Sequence, residues 1–178
     1  MIKIKKIDDM DLEQQLYETQ DDRLSSDVAD IIAHVRKCGD EALRSYTKKF
    51  DGIMIDSFMV SDSEIEAAFI SIESEFIGIL KRAAENISKF HEKQRRDDFI
   101  VFEENGKILG QKYTPIEKVG LYIPGGTAVY PSTVLMTAIP AKIAGSSSIT
   151  IVSPPDKDGK ISPAILSAAK IAGVDKIY

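Results

Sequence analysis

The chain has 178 residues, a length that suits one compact domain or two small lobes. Hydrophobic residues make up 43% of it and charged residues 29%, which is the composition of a globular protein and excludes a disordered one. The formal net charge of -5 argues against a nucleic acid as partner, because binding phosphates requires clustered Lys and Arg.

The first fifty residues show the apolar spacing of amphipathic helices. We predict a first helix that Ser26 and Asp27 cap and that Gly39 ends, followed by a second helix from residue 40 to about residue 50. Residues 53–60 alternate in polarity and predict a short extended piece.

Two further helices are predicted before residue 96. Ser61 and Glu64 have the spacing of a capping box, in which a Ser hydroxyl and a Glu carboxylate bond the first free amides of a helix. The helix that they begin carries Ile65 and Ala68 on its apolar face, and a longer helix is predicted over residues 74–95.

The pattern changes at residue 99, where helices give way to strands. Residues 99–102 and 108–113 predict a β-hairpin, because the Asn-Gly pair in the turn at residues 104–106 readily adopts positive φ angles. Strands and helices then alternate to the last residue, with strands at residues 119–123, 148–152 and 175–178 and helices at residues 132–144 and 162–172.

This order predicts an α/β fold with a parallel, Rossmann-like sheet. We divide the chain into an N-terminal helical lobe with the hairpin, residues 1–118, and the first part of the Rossmann-like lobe, residues 119–178. The sequence ends inside the third predicted strand, and a parallel strand is normally buried on both faces by further structure. We therefore expect a truncated piece of a longer protein. The alternative is a small domain with a short last strand.

The glycine turn after the first parallel strand is the candidate site. Gly125 and Gly126 have no Cβ to block a ligand from the backbone, and Ser132 then opens a helix whose free amides favour an anion. The turn follows the carboxyl end of a strand, where open α/β sheets bind ligands. The spacing is not Gly-x-Gly-x-x-Gly, so nucleotide binding and a purely structural turn both stay open.

The segment around this turn resembles the histidinol dehydrogenase family. The matching pieces are VGLYIPGG at residues 119–126, PSTVLM at 131–136, PA at 140–141 and AG at 144–145. Shorter matches at residues 39–43 and 172–175 extend the resemblance over essentially all of the chain. Val129 departs from the pattern, which commonly has a proline there, but no reactive group is lost.

The resemblance implies an incomplete aldehyde dehydrogenase-like architecture and a homodimeric enzyme of histidine biosynthesis. The single cysteine is consistent with a reducing compartment, so we expect the protein in the cytoplasm. Such enzymes oxidise L-histidinol to L-histidine with two NAD molecules in succession, while zinc holds the substrate and a histidine and a glutamate transfer protons. Because the family's zinc ligands and catalytic pair are expected beyond residue 178, no catalytic or metal-binding residue is assigned, and the fragment is expected to be inactive. The NAD site is assigned to Tyr122, which matches a family cofactor contact, and on the steric argument to Gly125 and Gly126.

Other reactive side chains are interpreted as structural. His34 and His91 have no partner at metal-ligand spacing, and the single cysteine, Cys38, excludes an internal disulfide and precedes a helix end rather than a helix start. Ser132 is interpreted as a helix cap, because no Gly-x-Ser-x-Gly elbow surrounds it.

The sequence leaves a second function class open. No run of about 18 apolar residues and no signal peptide is found, so no membrane partner is expected. The alternative to the enzyme is a non-catalytic module that binds a nucleotide or a partner protein.

Overall fold

The structure, a computed structural model, describes residues 22–125 and 128–178. The helices are α1 (Asp22–Cys38), α2 (Asp40–Phe50), α3 (Asp62–Ser71), α4 (Ser74–Glu92), α5 (Pro131–Ala144) and α6 (Pro163–Ala172). The strands are β1 (Phe99–Phe102), β2 (Ile108–Gln111), β3 (Lys118–Tyr122), β4 (Ser148–Val152) and β5 (Lys176–Ile177). None of these helices is long and apolar enough to cross a membrane.

The chain divides into two compact units, Met1–Lys49 and Phe50–Tyr178. The predicted boundary between residues 118 and 119 falls inside the second unit, and as a division of the longer protein it stays a prediction. The described helices and the strands from β1 onward follow the predicted order, and all five strands lie in the second unit. Most of the described residues with a candidate function lie in the second unit.

In the first unit, α1 starts earlier than predicted. It begins at Asp22, so Ser26 and Asp27 lie inside the helix and the predicted cap is wrong. Gly39 ends α1 as predicted, with a φ of 56° and its amide bonded to the carbonyl of Val35 at 2.8 Å.

The second unit opens with the predicted capping box. The Ser61 amide donates to Oε2 of Glu64 at 2.9 Å, and the Glu64 amide donates to Oγ of Ser61 at 3.3 Å. The Ser61 hydroxyl also donates to Oε2 of Glu64 at 2.7 Å. This bond, the bond from the Ser61 amide and the charge of Lys160 lower the pKa of the Glu64 carboxyl. The residues before the box, 53–60, form no strand, although the Val60 amide bonds the carbonyl of Ile177 at the edge of β5 at 2.9 Å.

Helix α4 ends three residues before the predicted end at residue 95. Its last residue is Glu92, and the amide of Lys93 bonds the carbonyls of Phe90 and His91 in a closing turn. The chain then leaves the helix before the charged residues that follow.

The predicted hairpin is present, with Phe99 opposite Gln111 and Phe102 opposite Ile108. Its loop differs from the expected tight turn, because in the loop only Gly106 has a positive φ, at 81°. The Glu103 amide donates to the carbonyl of Lys107 at 2.9 Å and closes the loop. This is a three-residue loop in which Gly takes the left-handed position.

Strands β3, β4 and β5 form a parallel sheet in that order. Helices α5 and α6 pack on each other, α3 packs on α6, and α4 packs on both α5 and α6. The core lies between these helices and one face of the sheet, and its largest fully buried side chains are Ile123, Val134, Leu135, Ile149, Ile151, Ile165 and Ser167. The other face carries Gly120, Tyr122, Thr150, Val152 and Lys176, and is called the open face below.

Candidate functional site

The carboxyl ends of the three parallel strands meet at one edge of the sheet. There the Ile123 amide bonds the carbonyl of Val152 at 2.9 Å, and the Ser153 amide bonds the carbonyl of Tyr178 at 3.0 Å. The bonding pattern therefore continues one residue beyond each assigned strand and fixes the starts of the loops that follow. We call this region the carboxyl edge.

Tyr122 lies at the carboxyl edge on the open face. It pairs with Val152, and its side chain is 65% exposed. Since Tyr178 directly follows Ile177, strand alternation places it on the same face. Tyr122, Val152 and Tyr178 therefore form a row of exposed rings and methyl groups that could support a flat ring of a ligand.

The structure explains why residue 125 is a glycine. A Cβ at this position would lie 2.9 Å from the carbonyl oxygen of Pro154 and 3.0 Å from Oγ of Ser153. The absent side chain therefore lets the loop after β3 pack against the loop after β4. This packing agrees with the structural turn that the sequence analysis left open, and the assignment of Gly125 to the cofactor stays a prediction.

Gly126, the third predicted cofactor residue, lies outside the described residues. The helix after the turn is described, and it starts at Pro131, one residue before the predicted Ser132. Tyr130 is the N-cap residue and makes no side-chain cap bond, so the interpretation of Ser132 as a cap is wrong. Pro131 has no N–H, and the Thr133 amide bonds the carbonyl of Tyr130 at 3.1 Å, so this helix start offers an anion fewer amides than expected.

Ser153 is a feature of the carboxyl edge that the sequence analysis missed. Its side chain is only 9% exposed, and its hydroxyl has no hydrogen-bond partner among the described residues. A buried hydroxyl without a partner costs folding free energy. A serine before two prolines gives no recognisable motif, and only the fold shows that it lies against Gly125.

A cleft of about 940 Å³ lies at the opposite side, near the amino ends of the strands. Its lining includes the charged or ionisable side chains His91, Arg95, Arg96, Asp97, Asp98 and Lys142. Several of these groups have partners: the Tyr113 amide donates to Asp98 Oδ1 at 2.7 Å, and Tyr113 raises the pKa of the Arg96 guanidinium through a side-chain hydrogen bond. With both signs of charge present and a position near the amino ends of the strands, this cleft is not assigned to the cofactor.

The other reactive side chains have ordinary surroundings. His34 Nδ1 lies 3.1 Å from the hydroxyl of Tyr46, and His91 Nδ1 lies 2.6 Å from Oε1 of Gln94. Cys38 is exposed at the end of α1. Within residues 22–125 and 128–178, no group of three or more His, Cys, Asp or Glu side chains could hold a metal ion.

Comparisons with known proteins agree on one family. The sequence model described as histidinol dehydrogenase matches residues 14–178. The histidinol dehydrogenase of Methanocaldococcus jannaschii is 55% identical over 153 residues, which are 85% of this chain and 35% of the relative. That of Geobacillus kaustophilus is 49% identical over 151 residues, again 85% of this chain and 36% of the relative.

A solved structure agrees with the sequence relatives. The crystal structure of histidinol dehydrogenase from Elizabethkingia anophelis superposes with a TM-score of 0.83 at 41% identity, and covers 87% of this chain and 36% of that protein. The chain thus spans about a third of the length of the relatives that it matches.

Proposed function

The chain belongs to the histidinol dehydrogenase family, and from this membership we propose that it forms part of an NAD-dependent enzyme that oxidises L-histidinol to L-histidine. Its own contribution is part of the cofactor site at the carboxyl edge. The remaining two-thirds of the family's length supplies the rest of the enzyme.

The position of Tyr122 is the observation that carries this proposal. Its ring is exposed at the end of β3, beside Val152 on the open face, where parallel sheets receive ligands. An exposed aromatic ring offers a flat apolar surface and a hydroxyl, which suits contact with a ring or a ribose of NAD. We place Gly125 and Gly126 beside it as backbone contacts.

We further propose that residues 119–178 are the first part of a Rossmann-like NAD-binding lobe, within an aldehyde dehydrogenase-like architecture. The parallel order β3-β4-β5, with α5 and α6 in the connections, supports this proposal. Residues 1–118 are then the helical lobe with the hairpin that precedes it.

Zinc and the proton-transferring histidine and glutamate belong, in this proposal, to the remaining part of the family's polypeptide. When bound, NAD accepts the hydride from the substrate. Tyr122 and the backbone at Gly125 hold and orient the cofactor, and the buried core lies on the other face of the sheet. We place the enzyme in the cytoplasm as a homodimer of the longer family protein.

Calorimetric titration of NAD into the chain tests the cofactor site. Replacing Tyr122 by Ala should weaken NAD binding about tenfold, the size expected for the loss of one aromatic contact. Tyr113→Ala is the matched control, because Tyr113 is an exposed tyrosine beside the cleft at the other side of the sheet. Equal affinities for the parent and Tyr122→Ala, or no NAD binding by the parent, would contradict this assignment.

A second experiment tests the proposal that the proton-transferring residues lie outside this chain. With L-histidinol, NAD and zinc, the 178-residue chain alone should not reduce NAD, because the proton-transferring residues are proposed to lie outside it. Turnover by the chain alone, followed by absorbance of NADH, would show that this placement is wrong.

A further inference from the structure

The hairpin β1–β2 exposes apolar side chains on both of its faces. Six of its eight residues are large and apolar, with exposed fractions from 49% to 73%: Phe99, Ile100, Val101, Phe102, Ile108 and Leu109. Within the described part of Phe50–Tyr178, β1 and β2 pack on each other and on no other helix or strand. A two-stranded hairpin alone is marginally stable in water, so a surface of this kind calls for a covering partner.

The register identifies the face that most needs cover. Ile100 lies opposite Gly110, and Phe102 lies opposite Ile108, so these residues share one face. Gly110 has no side chain to cover Ile100, and a Cβ there would lie 2.7 Å from the carbonyl oxygen of Phe99. We call this surface, formed by Ile100, Phe102 and Ile108, the hairpin face.

The charges around the hairpin argue against a second copy as the partner. Acidic residues flank β1 on both sides, namely Asp97, Asp98, Glu103 and Glu104, whereas Lys107 and Lys112 flank β2. If β1 of two copies paired antiparallel, acidic ends would meet acidic ends, and pairing of β2 with β2 would join lysines in the same way. Pairing of β1 with β2 of another copy would match the charges, but it would be a head-to-tail contact that need not close.

The comparisons indicate a different partner. The chain spans 35% of the Methanocaldococcus jannaschii relative, so most of the family's polypeptide is available to cover the hairpin. We propose that the hairpin face is a docking surface for this remaining two-thirds of the family's polypeptide, and that it binds that part even when the two are separate chains. The inference rests on the proposed function only in that the remaining part is taken to complete the enzyme.

Co-expression tests the docking surface. The partner is the portion of the Methanocaldococcus jannaschii protein outside its region of similarity to this chain, carrying an affinity tag, and the 178-residue chain is untagged. Affinity capture followed by light scattering should give a 1:1 complex. The double variant Phe102→Ser with Ile108→Ser should reduce its affinity by about 100-fold, since two large apolar side chains lose their burial.

Two further variants keep the test independent of folding. Ile100→Ser removes one side chain of the same face and should weaken the complex by about tenfold. Ile70→Ser is the control, because Ile70 is 79% exposed on α3 and should leave the complex unchanged. All these side chains are exposed in the isolated chain, so the unfolding midpoint of each variant should stay close to that of the parent.

The outcomes separate the docking proposal from the proposed function. A complex that forms but does not oxidise L-histidinol contradicts the enzyme assignment and supports the docking surface. No complex, while the uncut relative is active, overturns the docking surface alone. The docking proposal is also overturned if the double variant binds like the parent, or if the chain alone forms a dimer that the double variant abolishes.

Discussion

Replacing Gly125 by Ala tests whether the carboxyl edge is built by loop packing. The added Cβ would lie 2.9 Å from the Pro154 carbonyl oxygen and 3.0 Å from the Ser153 hydroxyl. Real Cβ atoms do not approach a carbonyl oxygen this closely, so one of the two loops must move. Gly120, in the strand that leads to this loop, is the matched control, since no heavy atom lies within 4 Å of the Cβ position there.

The expected cost follows from the nature of the two neighbours. The Ser153 hydroxyl can rotate, but the Pro154 carbonyl belongs to a backbone that proline holds stiff. Overpacking of this kind costs about 1–3 kcal/mol of the free energy of unfolding. Gly120→Ala places a methyl group in open space and lowers the entropy of the unfolded chain, so it should change stability by less than about 1 kcal/mol.

Urea unfolding followed by circular dichroism measures both variants. Gly125→Ala should unfold at a lower urea concentration than Gly120→Ala. The slope of the unfolding free energy against urea should be unchanged, because the amount of surface exposed on unfolding is the same. If Gly125→Ala unfolds at the same urea concentration as the parent, the packing explanation for this glycine is wrong. NAD titration of the same variant would then show whether a cofactor contact is the reason for the glycine.

Two other sites give predictions for the same unfolding assay. Ser61→Ala removes the side-chain cap of α3 and should lower stability by about 1 kcal/mol. Because the bonds from Ser61 lower the pKa of Glu64 in the folded state, the ionised carboxylate stabilises the fold above its unfolded pKa, and this contribution is lost as the pH falls through the lower folded pKa. Glu64→Gln should therefore be less stable than the parent at pH 7, and the difference in stability should shrink as the pH falls below the ordinary range of a carboxyl group. A difference that stays constant as the pH falls would contradict the capping role. Ser167 is 0% exposed, and within residues 22–125 and 128–178 its hydroxyl has no hydrogen-bond partner. Ser167→Ala should therefore leave stability unchanged or raise it by up to about 1 kcal/mol, whereas Ala168→Ser beside it should lower stability by about 1–3 kcal/mol. A loss of stability in Ser167→Ala would show that its hydroxyl is bonded.

Element order was predictable from local sequence, because periodicity and turn residues decide it. The capping box at Ser61 and the stop at Gly39 each depend on atoms within a few residues, and both predictions are confirmed. The starts of α1 and α5 were placed wrongly for a common reason. Ser26 and Ser132 have the chemistry of a cap, but a residue with that chemistry is also tolerated within a helix.

The candidate site was predictable only in part, because its reasons lie in contacts between distant segments. The family resemblance identified Tyr122, yet its exposure follows from the face that β3 turns away from the helices. We chose Gly125 as a site residue because a glycine leaves room beside the backbone. In the structure that room is bordered by Ser153 and Pro154, which lie nearly thirty residues later in the chain. No local pattern contains that pairing, which arises when two parallel strands end at one edge.

The residues of the open face change in character along the strands, and this change favours a ligand at the carboxyl edge. Near the amino ends the face carries Lys118 and Ser148, and its centre carries Gly120 and Thr150. Larger apolar groups appear only at the carboxyl ends, beginning with Tyr122 opposite Val152. A surface meant only for packing against another layer would be apolar along its whole length, as in parallel strands that are buried on both faces. The apolar groups are instead concentrated where parallel sheets bind their ligands, so substitutions at this end of the open face should affect cofactor binding more than those at the amino end.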